Sequence, residues 1–246
     1  MLIFCSFVLL MGFSLLHPLF RGSYLTKPLR DWILDGCGLF CQGVVIPGLQ
    51  VILVVGFWQK CFPTAQGCLH LDRGLAFVLS FVGVDYLYYW NHRLLHTRIF
   101  WPLHRVHHSS THMDVLCTSR NTLWTSFLIL YLWIHGLFLY LLQDPTSYLL
   151  GVSFTSVLDL WRHSPWIVPQ SSWLYRLSSS WLILPQDHHC HHRQGSLGQL
   201  FGANLKIWDQ LHSTWNPDIS SAAPLGIPVL LPLWKQLLWP FSSQQQ

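Results

Sequence analysis

The chain has 246 residues, of which 51% are apolar and only 10% charged, against about a quarter charged in ordinary soluble domains. That profile excludes an ordinary soluble domain and indicates a single integral membrane domain over 1–246. The net charge is only +4 and the basic residues are scattered, which excludes a nucleic-acid-binding surface.

Residues 1–20 are almost wholly apolar. Met1-Leu2-Ile3-Phe4 lacks a charged start and no A-x-A site follows, so an uncleaved first membrane helix is expected rather than a signal peptide. A second apolar run covers 36–58 and contains Pro47-Gly48, which can kink a membrane helix without ending it. A third covers 74–90, so 1–90 reads as the N-terminal membrane helices. Runs at 122–142 and 146–160 are separated by Gln143-Asp144-Pro145 and read as a helical hairpin over 122–160. The 146–160 run is short for a hydrocarbon layer of about 30 Å.

From 161 to 246 the chain is rich in Trp, Ser and Pro and reads as a cap and tail. Residues 225–241, with Pro224, Pro228, Pro232 and Pro240, are expected to lie along the interface. The tail Ser242–Gln246 is expected to fray. Tyr and Trp residues at 86–90 and 161–181 are expected as interface anchors. The seven cysteines form no CxxC pair, several lie in apolar runs, and all are expected to be buried thiols.

Lys and Arg set the orientation. Segments 21–35, 91–121 and 161–246 hold 3, 4 and 5 of them, or 12; the opposite side keeps only Lys60 and Arg73. The 12 to 2 split places the first three segments in the cytoplasm.

Those segments carry the histidines. His92 and His96 stand four apart; His104, His107 and His108 follow, and then His188, His191 and His192. At three- and four-residue spacing each set is expected to share a helix face. His163, after the fifth apolar run, is a ninth candidate. Nine imidazoles exceed the needs of one tetrahedral ion, and two metal ions use them more naturally. Imidazole suits iron, zinc, copper and nickel alike. Asp85, Asp114, Asp159, Asp187 and Asp209 are the nearby carboxylates that could orient the rings. His189 points away from its set; His112 is expected to face solvent or stand behind the ligands; His135 is expected to bond a neighbouring helix.

The ordered motifs resemble the fatty acid hydroxylase superfamily, also called the sterol desaturase family, in its bacterial form. The resemblance runs over about 85–215. It comprises Asp85 to Arg93 with His96, Trp101-Pro102-Leu103-His104-Arg105-Val106-His107-His108-Ser109, Met113-Asp114-Val115 with Arg120, and His163-Ser164. Pro185-Gln186-Asp187-His188 with His191-His192 and the closing Phe201 to Asp209 complete it. Departures are Asn121-Thr122-Leu123 where bacterial relatives usually read Phe-His-Pro, Pro165 after His163-Ser164, and His212-Ser213 after Trp208-Asp209.

The resemblance implies an all-α protein, a four-helix transmembrane bundle of two hairpins. A cytoplasmic helical cap would hold a histidine-bound dimetal site. It implies two iron ions, with zinc as a substitute after purification, and dioxygen as co-substrate. Hydroxylation of a lipid C–H bond is implied, with desaturation as the alternative outcome. Electrons would come from an external donor of reductase, ferredoxin or cytochrome type, as no haem or flavin motif is present. His92, His96, His104, His107, His108, His188, His191 and His192 would be catalytic ligands, and His163 a further ligand. An inactive, metal-binding scaffold is the competing class. A transport protein is disfavoured because the histidines lie at helix ends.

Overall fold

The computed structural model describes residues 1–196, 198–216 and 223–241. Among them the structure is all-helical, with isolated bridges and no strand. The tail Ser242–Gln246 lies outside the described residues.

The 1–20 run is two helices rather than one. α1 (Leu2–Leu16) turns by 98° into α2 (Pro18–Leu25). Pro18 lacks an N–H and clashes with the preceding turn, so the helix restarts there. His17 Nδ1 accepts from the Leu19 N–H at 3.3 Å and caps the new start.

α3 (Leu29–Cys61) is continuous over 33 residues, so Pro47 does not end it. Cys41–Val45 is wound as a π turn just ahead of Pro47. The wider turn accommodates the proline ring and its missing donor. Among the described residues α3 is the one helix long and apolar enough to cross a membrane, and the bent α1–α2 pair makes a second if counted as one span.

α4 runs from Arg73–Val78 through a π turn at Leu79–Gly83 into Val84–Leu95. Asp72 caps its start by accepting from the Leu75 N–H at 3.0 Å. The single run expected over 122–142 is interrupted: α6 (Thr125–Leu128) and α7 (Leu130–Leu141) are separated by extended Ile129. The side chain of Asn91 on α4 fills the break. Its Nδ2 donates to Leu128 O at 3.1 Å and its Oδ1 accepts from Leu130 N at 3.3 Å. α8 (Thr146–His163) has 18 residues, longer than the apolar run, because Trp161, Arg162 and His163 continue the helix. At 1.5 Å per residue it extends about 27 Å. The short α5 (Trp101–His104) lies between α4 and α6.

α8 packs on α4 and α1, and α7 packs on α3 and α4. A Cβ at Gly151 would lie 1.9 Å from Ser80 Oγ, so only glycine permits the α8–α4 approach. Ala76, Val84, Leu142 and Tyr148 form a buried apolar cluster between these helices. His135 on α7 bonds Tyr148 Oη on α8 at 2.8 Å, the expected link to a neighbouring helix.

A buried charge network joins α3 to the 114–120 loop. Arg120 Nε donates to Asp35 Oδ1 at 2.7 Å and Nη1 to Asp31 Oδ2 at 3.0 Å. Lys27 bridges Asp35 and Asp114. These side chains, Asp31 apart, are almost fully buried, so each charge needs its partners.

Beyond His163 lie α9 (Trp173–Ser178), α10 (Pro185–His191), α11 (Ile207–Leu211) and α12 (Leu233–Leu238). Trp173, Leu177, Trp181, Leu230 and Trp234 are exposed there. The cysteines correct the expectation: all are free thiols, yet only Cys41 and Cys117 are buried. Cys5, Cys61 and Cys68 sit on outward faces or in the α3–α4 loop, where no neighbouring element covers them.

Candidate metal centre

All nine candidate histidines come together. His92, His96, His104, His108 and His191 form one group, and His107, His163, His188 and His192 the other. Within each group one nitrogen from each ring lies within 4.8 Å of the others. The groups abut, with His108 and His192 rings stacked at 4.4 Å between centroids and His104 and His107 at 5.1 Å.

The sets therefore do not each share one face. His104 ends α5, whereas His107 lies in a 3₁₀ turn, His107–Ser109, so the chain turns between them. On α10, His191 joins the first group while His188 and His192 join the second. Residues i+3 and i+4 differ by about 100° in direction, enough to serve two adjacent centres. His189 Nε2 donates to the Ser164 carbonyl instead, at 3.1 Å, His112 is exposed, and neither belongs to a group.

Four rings are fixed by backbone carbonyls, not carboxylates. The Nδ1 atoms of His92, His107, His163 and His191 lie 2.9, 3.2, 2.9 and 2.7 Å from the carbonyl oxygens of Phe201, Arg120, Asp159 and Gln199. A carbonyl only accepts, so these Nδ1 atoms carry the proton and each neutral ring turns a bare Nε2 inward.

The carboxylates act one step behind. Asp209 Oδ1 accepts from Phe201 N at 2.8 Å and Oδ2 from Gly202 N at 2.7 Å, holding the carbonyl that meets His92. Asp85 accepts from Asn204 N, Leu205 N and Trp208 Nε1, docking the same loop on α4. Asp85 and His92 do share a face, as their seven-residue spacing predicts. Asp187 accepts from Leu184 N at the start of α10, and Asp114 from Leu116 N. Asp159 Oδ1 is 3.6 Å from His163 Nδ1, the nearest approach of these carboxylates to a site ring.

The donor set fits a cation in each group. His92 Nε2 lies 3.1 Å from His191 Nε2, and His107 Nε2 lies 3.3 Å from His163 Nε2. All four rings have their proton on Nδ1, so lone pair faces lone pair, which is repulsive unless a positive ion lies between. Two nitrogens bound at about 2.0–2.1 Å to one ion stand about 3.0–3.4 Å apart. Further ring nitrogens, among them His104 Nδ1 and His188 Nδ1, are buried with no hydrogen-bond partner.

Burial keeps the rings neutral. It pushes His107 down to about 3, and lowers His104, His108, His188, His191 and His192 well below the ordinary histidine value, with neighbouring imidazoles adding to the effect. A neutral imidazole is the form that binds metal.

A cavity of about 920 Å³ reaches this centre. His92, His104, His107, His163 and His188 line one part of it, and Phe4, Phe7, Leu39, Phe40, Val44 and Ile46 line another. Tyr88, expected as an interface anchor, lines the cavity instead. The carbonyls of Phe201, Arg120, Asp159 and Gln199 carry no side-chain signal, and sequence reasoning missed them. The chain turn at Arg120, held by Asp31 and Asp35, could have been found only from the pairing of charges across 85 residues.

The family model for fatty acid hydroxylase matches residues 77–214, more than half of the chain. Alkylglycerol monooxygenase of Danio rerio is 30% identical over 152 residues, 60% of this chain and 32% of that protein. The Xenopus tropicalis alkylglycerol monooxygenase is 27% identical over 217 residues, 83% of this chain and 45% of that protein. Ornithine lipid hydroxylase OlsE of Rhizobium tropici is 30% identical over 198 residues, 76% of this chain and 54% of that protein. The chain thus spans about a third to a half of the length of these curated relatives. No solved structure matches.

Proposed function

This chain belongs to the fatty acid hydroxylase family, and on that premise we propose that it is a membrane-bound, non-haem diiron oxygenase that hydroxylates a C–H bond of a lipid. The observation that carries the reading is the pair of opposed, unprotonated Nε2 atoms in each histidine group. The two groups would hold one iron each, with zinc able to replace it. Bound iron supplies the activation of dioxygen. One oxygen atom would enter the lipid and the other leave as water, with two electrons from an external donor of reductase, ferredoxin or cytochrome type and two protons from the solvent.

The chain's own residues bind, orient and exclude water. Carbonyls of Phe201, Arg120, Asp159 and Gln199 keep the inward nitrogens free of protons. The cavity has the room to hold a lipid chain beside the histidines and the apolar lining to shed its water. We take 1–246 as one membrane domain. Apolar helices within 1–90 and the hairpin 122–160 form its membrane part, 85–215 is the catalytic region, and 161–246 is the cap and tail. The 12 to 2 distribution of Lys and Arg supports a multi-pass arrangement with the histidines on the cytoplasmic side, where a soluble donor can reach them.

Lipid mass spectrometry under isotope-labelled dioxygen tests the reading in cells carrying the intact protein or His107→Ala. One lipid gaining a single labelled oxygen, only with the intact protein, is the expected result. Loss of two hydrogens without label would make it a desaturase. No oxygen-dependent change would remove the enzyme assignment and leave a metal-binding scaffold.

A further inference from the structure

The cavity is not uniformly apolar. Val152, Thr155, Ser156, Asp159 and His163 recur at helical spacing on α8 and all line it. Thr155 and Ser156 are satisfied within the protein, by Asn204 Nδ2 and the Val152 carbonyl. Asp159 is not fully engaged. Its side chain is 40% exposed although it stands beside a buried histidine group, and among the described residues its carboxylate bonds Arg162 alone. Asn121 also lines the cavity and is 5% exposed. Its Oδ1 is buried and has no hydrogen-bond partner among the described residues. A buried amide oxygen without a donor costs more than one hydrogen bond contributes elsewhere.

Both stand by members of the same histidine group. Asp159 Oδ1 is 3.6 Å from His163 Nδ1, and Asn121 directly follows Arg120, whose carbonyl is 3.2 Å from His107 Nδ1. Unmet hydrogen-bonding capacity is thus concentrated where the lipid would meet the second metal. The charge of Asp159 is balanced by Arg162 at 3.2 Å, so a further ammonium would be buried without compensation. A neutral hydroxyl suits the site: it donates to the carboxylate, and it pairs with either end of the amide.

Resting on the lipid-hydroxylase reading, we propose that the histidine end of the cavity receives a hydroxyl group of the lipid, bound by Asp159 and Asn121. The carbon attacked then lies close to that hydroxyl, and the apolar remainder of the chain extends toward Phe4, Phe7 and Phe40. Asp159 and Asn121 are specificity-determining residues on this account.

Zinc-loaded protein in detergent separates binding from turnover. The probes are a hexadecyl glycerol ether, the same ether with both hydroxyls methylated, and hexadecylamine. Wild type should bind the free glycerol ether about tenfold more tightly than the methylated one, the value of a hydrogen bond to a buried group. Asn121→Leu, which takes away an amide oxygen that bonds nothing among the described residues, should narrow that gap to within about twofold. Asp159→Ala should narrow it as well; if that variant fails to fold because Arg162 loses its partner, Asn121→Leu still decides. An unchanged gap in Asn121→Leu overturns the proposal, and so does tighter binding of hexadecylamine than of the glycerol ether. Equal binding of both ethers by wild type, with lipid hydroxylation by the iron-loaded protein intact, overturns this subsite alone. No lipid binding together with no turnover overturns the subsite and the hydroxylase reading.

Discussion

Replacing Asp209 by Asn tests how the loop behind the histidines governs metal retention. The carboxylate is fully buried and accepts three hydrogen bonds: from Phe201 N at 2.8 Å, Gly202 N at 2.7 Å and Thr214 Oγ1 at 2.6 Å. An amide of the same shape has only one acceptor oxygen. In one orientation its NH₂ faces Gly202 N–H; in the other it faces Phe201 N–H. Either way a buried donor loses its acceptor, at a cost of about 1–3 kcal/mol. The displaced segment carries the Phe201 carbonyl that fixes His92 Nδ1. Disturbing such a supporting partner weakens metal binding by about 10- to 100-fold. The assay is a chelator titration of metal-loaded wild type and Asp209→Asn, with helical content followed by circular dichroism. Asp209→Asn should release metal at a chelator concentration lower by about that factor while its helices persist. Release at the wild-type concentration would refute the role given to the loop.

Four further outcomes are expected. His107→Ala and His191→Ala fall in different groups. Each should lower the metal content by one ion per chain and abolish oxygen-dependent product without preventing membrane insertion, by elemental analysis and lipid mass spectrometry. Equal loss of both ions from either variant would mean that the groups are not separate sites. At Gly202 a Cβ would lie 2.7 Å from Asp209 Oδ2 and 2.9 Å from Leu205 O. Gly202→Ala should therefore lower stability by about 1–3 kcal/mol in thermal unfolding. In metal-free protein the site histidines bind fewer protons folded than unfolded, since His107 is pushed down to about 3 and its neighbours are lowered too. Stability should thus be flat above the unfolded histidine value of about 6.5 and fall below it, by up to about 1.4 kcal/mol per pH unit for each such ring, until the folded values are reached. Denaturation curves showing greater stability at low pH would contradict the burial of neutral rings. Asn91→Ala should unsettle the break at Ile129, seen as faster amide exchange at Leu130, because Asn91 Oδ1 accepts from that N–H.

The helical class and the nine histidines were legible because composition and spacing carry them, and the closing Phe201 to Asp209 segment because it resembles the family's motif. The break at Ile129 was not, because a β-branched apolar residue gives no stop signal and Asn91 supplies the bonds from another helix. The kink at Pro18 and the passage through Pro47 show the same limit from both sides. One proline restarts a helix, while the other is absorbed by a π turn. The division of the histidines into two groups depends on a 100° difference in direction between neighbours on α10 and on the turn after His104, which periodicity alone does not separate. The ring-fixing carbonyls were hidden because every residue has one. Asn121 and Asp159 stood in the sequence as a motif departure and a candidate carboxylate; their placement on the cavity wall required the fold.

X-ray absorption on iron-loaded protein, with iron counted per chain, tests the central claim most directly. Two irons per chain, each surrounded by nitrogen at about 2.0–2.2 Å and close enough to scatter from one another, is the result the proposed diiron reading predicts. A single iron, or iron held by cysteine sulfur, would contradict it.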